Sequence, residues 1–335
     1  MTSMNLLRGL SLLAVLAGLP QAKAAPVPAN TKVKIFILAG QSNMVGFGQV
    51  AGSPGTMETY VKSNPGAYGH LVDAGGSPVV RNDVWVVNLS QQGREQTGWL
   101  NTGFGATGGH IGPEYAFGLV VGDHYDDLVL LIKCAWGGRS LYHDFLPPSA
   151  RKLPPPAKEG DEGFYYAETL RLVKEVAGNL ERYCPWYAGQ GYEIVGFGWH
   201  QGWNDRINPA AVDAYESNMA QFIHDFRRDL GIEKLPFVIA NTGMGGWNIT
   251  GRHKERVEKL MLAQLALGDR VKHPEFEGNV AGVETRGFQR SREESPSGQE
   301  YHWMRNWETY YLIGQSMGEE IVRLISGKLP ASEAR

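Results

Sequence analysis

Apolar residues along this chain gather in short runs that Gly-rich polar stretches interrupt. Val33, Ile35, Phe36, Ile37 and Leu38 leave only Lys34 polar. That is the pattern of a strand covered on both faces, as in a parallel sheet. Similar runs predict strands at 84–89, 128–134, 194–199, 237–240 and 280–283. Between them the period changes. Leu170, Leu172, Val173, Val176 and Leu180 recur near helical spacing within 166–181, and an apolar stripe of this kind is the mark of an amphipathic helix. Pro113 and Glu114 suit a first helical turn and open a helix over 113–123. Further helices are predicted over 209–230, 255–267 and 306–325. The Gly/Pro/Ser-rich stretch 45–80 and the glycine-rich stretch 90–112 read as loop, and 142–163, with five prolines, as an extended insertion. Strands alternating with helices imply parallel β-α-β units with right-handed crossovers, hence a three-layer α/β/α sandwich. No internal repeat or linker divides the chain, so residues 25–335 are expected to form one domain.

Composition adds three constraints. At 335 residues, 42% hydrophobic and 20% charged, the chain suffices for one sizeable core. Its start resembles an export signal over 1–24: Arg8 is basic, 10–19 is apolar but too short for a membrane span, and Ala22-Lys23-Ala24 fits a cleavage site. A secreted or periplasmic protein is therefore expected, with no membrane span. Removing those residues takes away Arg8 and Lys23 and no acid, shifting the formal charge from −3 to −5. That acidity disfavours nucleic acid as a partner. Cys134 and Cys184 are the only cysteines; an oxidising compartment permits a disulfide between them. Two cysteines and scattered histidines give no metal-ligand spacing, so no metal or other cofactor is expected.

Three predicted strands end in polar, chemistry-bearing residues: Gly40-Gln41-Ser42, Gly137-Gly138 and His200-Gln201-Gly202. In a parallel sheet these ends share one edge, where open α/β sheets bind ligands. A hydrolase needs a nucleophile, a base and donors for an oxyanion. Ser42 is the candidate nucleophile. Gly138 lacks a side chain and can offer its backbone N–H at close range, and Gln201 can offer its side-chain amide. His302, just before the closing helix, is the candidate base, since imidazole titrates near neutrality. His200 is expected to be a structural histidine held within the scaffold.

Gly40-Gln41-Ser42-Asn43-Met44, Gly137-Gly138-Arg139-Ser140-Leu141 and Trp199-His200-Gln201-Gly202, followed by Tyr301-His302-Trp303, resemble the sialate O-acetylesterase-like branch of the SGNH (GDSL-type) hydrolases, which carbohydrate esterase family six shares. The resemblance runs over roughly residues 33–325. It implies a flavodoxin-like sandwich with central strand order 2-1-3-4-5. It also implies a metal-independent serine esterase that removes acetyl groups from carbohydrates, with Ser42 as nucleophile, His302 as base, and Ser42 N–H, Gly138 N–H and Gln201 at the oxyanion hole.

Two positions depart from that pattern. Many relatives carry Glu directly after His-Gln-Gly, where this chain has Trp203; many carry Asp three residues before the base, where it has Gln299. Asp205 is then the first candidate for a third triad member, Glu300 and Glu284 follow, and a Ser–His dyad is the remaining option. Trp203, Trp303 and Asn204 are candidate sugar contacts, because an indole face packs on the apolar face of a sugar. Trp136 also adjoins the motifs, while Trp199 suits core packing. Two other readings stay open: a non-catalytic carbohydrate-binding protein on the same fold, and an esterase acting on other small esters. The particular sugar and the oligomeric state are not legible.

Overall fold

The computed structural model describes residues 31–91, 94–251 and 253–327; the expected export signal over 1–24 lies outside the described residues. At the centre is β1 (Val33–Gly40), with all its residues but Lys34 buried. Six further strands complete its sheet: β2 (Val84–Asn88), β3 (Gln96–Trp99), β4 (Val129–Ala135), β5 (Tyr192–His200), β6 (Phe237–Ala240) and β7 (Val280–Val283). Their order is β3-β2-β4-β1-β5-β6-β7. Every pairing is parallel except β2–β3, which is antiparallel. The sheet is therefore mixed. The seven-strand order is longer than the expected 2-1-3-4-5, and β4 lies between β2 and β1.

Helices cover both faces. Side chains alternate across β1, so Ile35 and Ile37 join one core cluster and Phe36 and Leu38 the other. The first cluster includes residues of α4 (Phe164–Gly178), α5 (Pro209–Leu230) and α6 (Lys254–Ala266). The second takes in α3 (Glu114–His124) and α7 (Trp307–Ile325). Each large apolar side chain buried this way stabilises the fold by about 1.5–3 kcal/mol. Between β1 and α3 come α1 (Ser42–Val45) and α2 (Met57–Ser63).

Two stretches expected to be loop carry regular structure. In 45–80, Thr56 and Thr59 form a reciprocal capping box that starts α2, and Pro65–Tyr68 adds one more helical turn. In 90–112, β3 extends the sheet, and Gly48–Gln49 pairs with His110–Ile111. The disulfide that the compartment permits is not formed: Cys134 and Cys184 are free and buried in the first core cluster. Burial pushes the Cys184 thiol up to about 12. Among the described residues no helix is long and apolar enough to cross a membrane.

Candidate active site

The carboxyl ends of β4, β1 and β5 meet at Gly40. Trp136 N–H donates to the Gly40 carbonyl at 3.1 Å, and Gln41 N–H donates to the His200 carbonyl at 3.3 Å. A Cβ on Gly40 would lie 2.2 Å from the His200 carbonyl oxygen, so only glycine permits this approach. The chain then turns into α1, whose first residue is Ser42. Gly137 packs beside it: a Cβ there would stand 3.9 Å from Ser42 Cβ. Gly138 follows at φ 69° with open space around its Cα, so its peptide N–H can approach a bound group. The side chain of Gln41 fixes the third segment, its Oε1 accepting from Gly202 N–H and Asn204 N–H, both at 3.1 Å.

Beneath α1 lies a buried ion pair. Lys133 Nζ donates to Glu114 Oε2 at 2.6 Å and to the carbonyls of Val45 and Phe104 at 2.8 Å each. Glu114 also accepts from Gly112 N–H at 2.8 Å. Burial lowers the Lys133 pKa, and Glu114 opposes that shift. The pair thus ties the last residue of α1 to the 104–112 loop.

His302 reaches the same edge from the far end of the chain. Asn43 Nδ2 donates to the Tyr301 carbonyl at 3.1 Å, and Tyr310 OH donates to Asn43 Oδ1 at 2.7 Å. The His302 ring stacks on Phe47, 3.8 Å between centroids and 8° from parallel. Three consecutive residues after it are left-handed: Trp303, Met304 and Arg305, at φ 49°, 53° and 59°. That conformation costs roughly 1–2 kcal/mol per L-residue. It is held by Gln299, whose carbonyl accepts from His302 N–H and Met304 N–H at 2.9 Å each, and whose Oε1 accepts from Arg305 Nε at 2.8 Å. Burial, then the charge of Arg305, lowers the His302 pKa to about 4. The imidazole is therefore neutral at neutral pH, the form a general base requires. Its Nδ1 is buried without a partner, and among the described residues no hydrogen bond joins it to Ser42 or to a carboxylate.

The candidate acids are occupied elsewhere or point elsewhere. Asp205 accepts from Leu141 N–H at 3.1 Å, Tyr142 N–H at 3.0 Å and Gln201 Nε2 at 2.6 Å. Its burial raises the pKa to about 6. Glu284 clamps Arg286 and accepts from Asn241. Glu300 is exposed and lines a neighbouring cavity of about 520 Å³ with Trp203, Arg206, Met244 and Met304. Gln299, at the position where many relatives carry Asp, spends its side chain on Arg305.

Gln201 departs from its expected role. It is 1% exposed, and its two amide protons go to Asp205 Oδ2 at 2.6 Å and the Arg139 carbonyl at 2.8 Å. No proton is left for an oxyanion. Asn204, expected as a sugar contact, is half-buried, and its side-chain amide has no partner among the described residues. Trp303 is not a sugar contact: it is fully buried in the second core cluster. Trp203 remains half-exposed beneath the Arg206 guanidinium, 3.8 Å from its ring centre. Trp136 packs on Tyr165, and Trp199 is core, its indole N–H donating to Tyr215 OH at 3.1 Å. His200 is 1% exposed with Nδ1 3.2 Å from the Ala240 carbonyl, and burial lowers its pKa to about 4.

Ser42 opens onto a cavity of about 370 Å³ that Phe47, Arg94, His110, Gly137 and Arg305 also line. Sequence reasoning missed Asn43, Phe47, Arg94 and Arg305. Asn43 alone carried a signal, as a polar residue in the first turn after the nucleophile.

The chain is similar to known proteins. The family described as carbohydrate esterase, sialic acid-specific acetylesterase, matches residues 32–294, a span that stops short of His302. The probable carbohydrate esterase At4g34215 of Arabidopsis thaliana is 26% identical over 249 residues, covering 72% of this chain and 77% of its own length. Its crystal structure superposes with a TM-score of 0.51 at 21% identity, over 86% of this chain and 97% of the other. NanS gives a TM-score of 0.53 at 14% identity, over 87% and 97%. A carbohydrate acetylesterase of Xanthomonas citri gives 0.50 at 13%, over 88% of this chain and 57% of its own. The structural likenesses speak to the fold, and the family match covers most of the chain. This protein belongs to the sialic acid-specific acetylesterase family of carbohydrate esterases.

Proposed function

We propose that this carbohydrate esterase removes acetyl groups with a Ser42–His302 dyad, through an acyl-enzyme, without an orienting carboxylate. The carrying observation is that Asn43 ties the Tyr301-His302 segment to the nucleophile turn while every nearby carboxylate is engaged or turned away. Ser42 Oγ attacks the acetyl carbonyl carbon and its proton passes to His302. The carbonyl oxygen becomes an oxyanion held by Ser42 N–H, Gly138 N–H and, in place of Gln201, the Asn204 amide. The C–O bond to the sugar breaks and His302 returns the proton to the departing sugar oxygen. Water then repeats the sequence on the acetyl-serine and releases acetate. Trp203 supplies the sugar platform. Each lost oxyanion donor typically costs about 2.7–4 kcal/mol of transition-state stabilisation.

The sheet supports a finer reading. Without the β2–β3 hairpin, the parallel strands β4-β1-β5-β6-β7 follow the order 2-1-3-4-5. We read the hairpin as an addition at the edge of an SGNH core. Residues 1–24 we read as an export signal; a mature N-terminus other than Ala25 in protein recovered outside the cytoplasm would contradict this.

The test is acetate release from a panel of acetylated glycans beside Ser42→Ala, with a serine-directed phosphonate as label. Covalent labelling at Ser42 and loss of acetate release in the variant are expected. Full activity in Ser42→Ala, or labelling elsewhere, refutes the assignment.

A further inference from the structure

We propose that Phe47 is the positioning residue of the base: its ring holds the His302 imidazole in a parallel stack and stabilises the imidazolium that forms when Ser42 gives up its proton. An orienting carboxylate performs that task in a triad. The proposal rests on the Ser42–His302 reading above and names what completes that dyad. The two rings lie 3.8 Å apart between centroids and 8° from parallel. His302 Nδ1 is buried without a hydrogen-bond partner among the described residues. The plane of the imidazole is thus set by stacking and not by a bond to that nitrogen.

Phe47 is itself fixed to the nucleophile turn. It follows closely on α1, where Gly46 N–H donates to the Ser42 carbonyl at 2.9 Å and the Gly46 carbonyl accepts from Ala106 N–H at 2.7 Å. The backbone of Phe47 bonds to the Tyr310 hydroxyl, which donates to Asn43 Oδ1 at 2.7 Å. Asn43 in turn holds the Tyr301 carbonyl. One turn therefore grips the base twice, its backbone through Asn43 and its ring through Phe47. Phe47 also lines the cavity onto which Ser42 opens, so the stack stands at the reacting edge.

An aromatic face is the negative part of a quadrupole and attracts a cation placed over it. A neutral imidazole gains little from that face and an imidazolium gains much more, so the stack favours the transition state over the resting enzyme. Burial keeps the ring neutral at rest. Other cationic groups stand farther from Phe47 or elsewhere in the cavity. Arg305 is 6.0 Å from its ring centre, near the outer limit of such contacts. His110 meets Phe47 edge to face at 6.1 Å, with its own pKa lowered by burial and by Arg305. Arg94 lines the same cavity. His302 is closer to Phe47 than Arg305 or His110 is.

The experiment replaces Phe47 in the full chain by phenylalanines carrying one, two and then three ring fluorines, which drain the quadrupole with little change in volume. Acetate release from a small aryl acetate is read across pH. With each fluorine kcat should fall, to roughly 3- to 30-fold below wild type at three. KM should stay level, and the acid limb of kcat/KM should move to lower pH as the imidazolium loses its partner. Phe47→Leu should lose at least as much kcat, while Phe47→Trp should retain most of it. A residue that only fills space would leave the fluorinated series flat. The near-isosteric series carries the test even where Phe47→Leu folds poorly. Level kcat and an unmoved acid limb across the series, with His302→Ala inactive, overturn the stack alone. Full activity in His302→Ala overturns the stack together with the dyad.

Discussion

As the proposed base, His302 is unusual because its buried Nδ1 has no hydrogen-bond partner among the described residues. A carboxylate there would raise the imidazole pKa; burial against Phe47 and the charge of Arg305 instead bring it to about 4. The sign for activity follows directly. The base is ready at neutral pH and is lost only when it protonates, so kcat/KM should hold into mild acid and fall with an apparent pKa near 4. Arg305→Gln should move that limb upward; an unmoved limb, or one already near 6.5 in the wild type, contradicts the proposed base. Asp205→Asn separates the dyad from a triad. A carboxylate that orients the base is worth roughly 10⁴-fold in kcat. Here Asp205 accepts from Gln201 and from the 141–142 backbone, so the variant should lower the melting temperature and reduce kcat far less than that. Gln201 shows why such roles escape a linear reading. Its place at a strand end is visible in the sequence, but the fate of its two protons depends on Arg139 and Asp205, which only the fold brings to it.

At the scale of elements, the buried strands and amphipathic helices were legible because their signal is local. β1 reads as a continuous apolar run, and α5 falls on the predicted 209–230. β3 and α2 were not, because Gly, Pro and Ser dominate their surroundings and a Thr–Thr capping box is a weak mark. Nor was the Lys133–Glu114 pair, which joins a strand to a helix beneath α1. Removing one partner of a buried pair costs about 3–5 kcal/mol, whereas replacing both with apolar groups is often neutral. Lys133→Met should therefore destabilise by about that amount, read by chemical denaturation. Lys133→Met with Glu114→Leu should recover most of the stability. It should not recover kcat, because Val45 and the 104–112 loop lose their common anchor. Full activity in the double variant would show that the pair is merely structural.

For the whole molecule, buried titratable groups set how stability varies with pH. His200 has its pKa lowered from 6.5 to about 4. Below pH 6.5 the unfolded chain takes up a proton that the folded one refuses, so this contribution to stability is lost as pH falls toward 4. Asp205 works in the opposite sense. Its folded pKa, about 6 against 3.8, lets the folded state gain the proton first, and the cost of its burial fades with acidification. His200→Asn should flatten the acid-side loss by about one proton, or roughly 1.4 kcal/mol per pH unit. Asp205→Asn should steepen it. Denaturation curves across pH 6.5 to 4 give both slopes, and parallel curves for wild type and His200→Asn would rule out a neutral buried histidine at that position.

The proposed base stands on the segment just before α7, and Trp303 and Trp307 beside it are both fully buried. If the proposed dyad holds, an emerging chain carries its nucleophile from residue 42 onward but lacks a proton acceptor until residue 302 has been made and packed. On the proposed reading, hydrolytic competence arrives with the docking of α7. In refolding, esterase activity and the fluorescence change of tryptophan burial should return together in the slowest phase, so that the enzyme reports the completion of its own assembly.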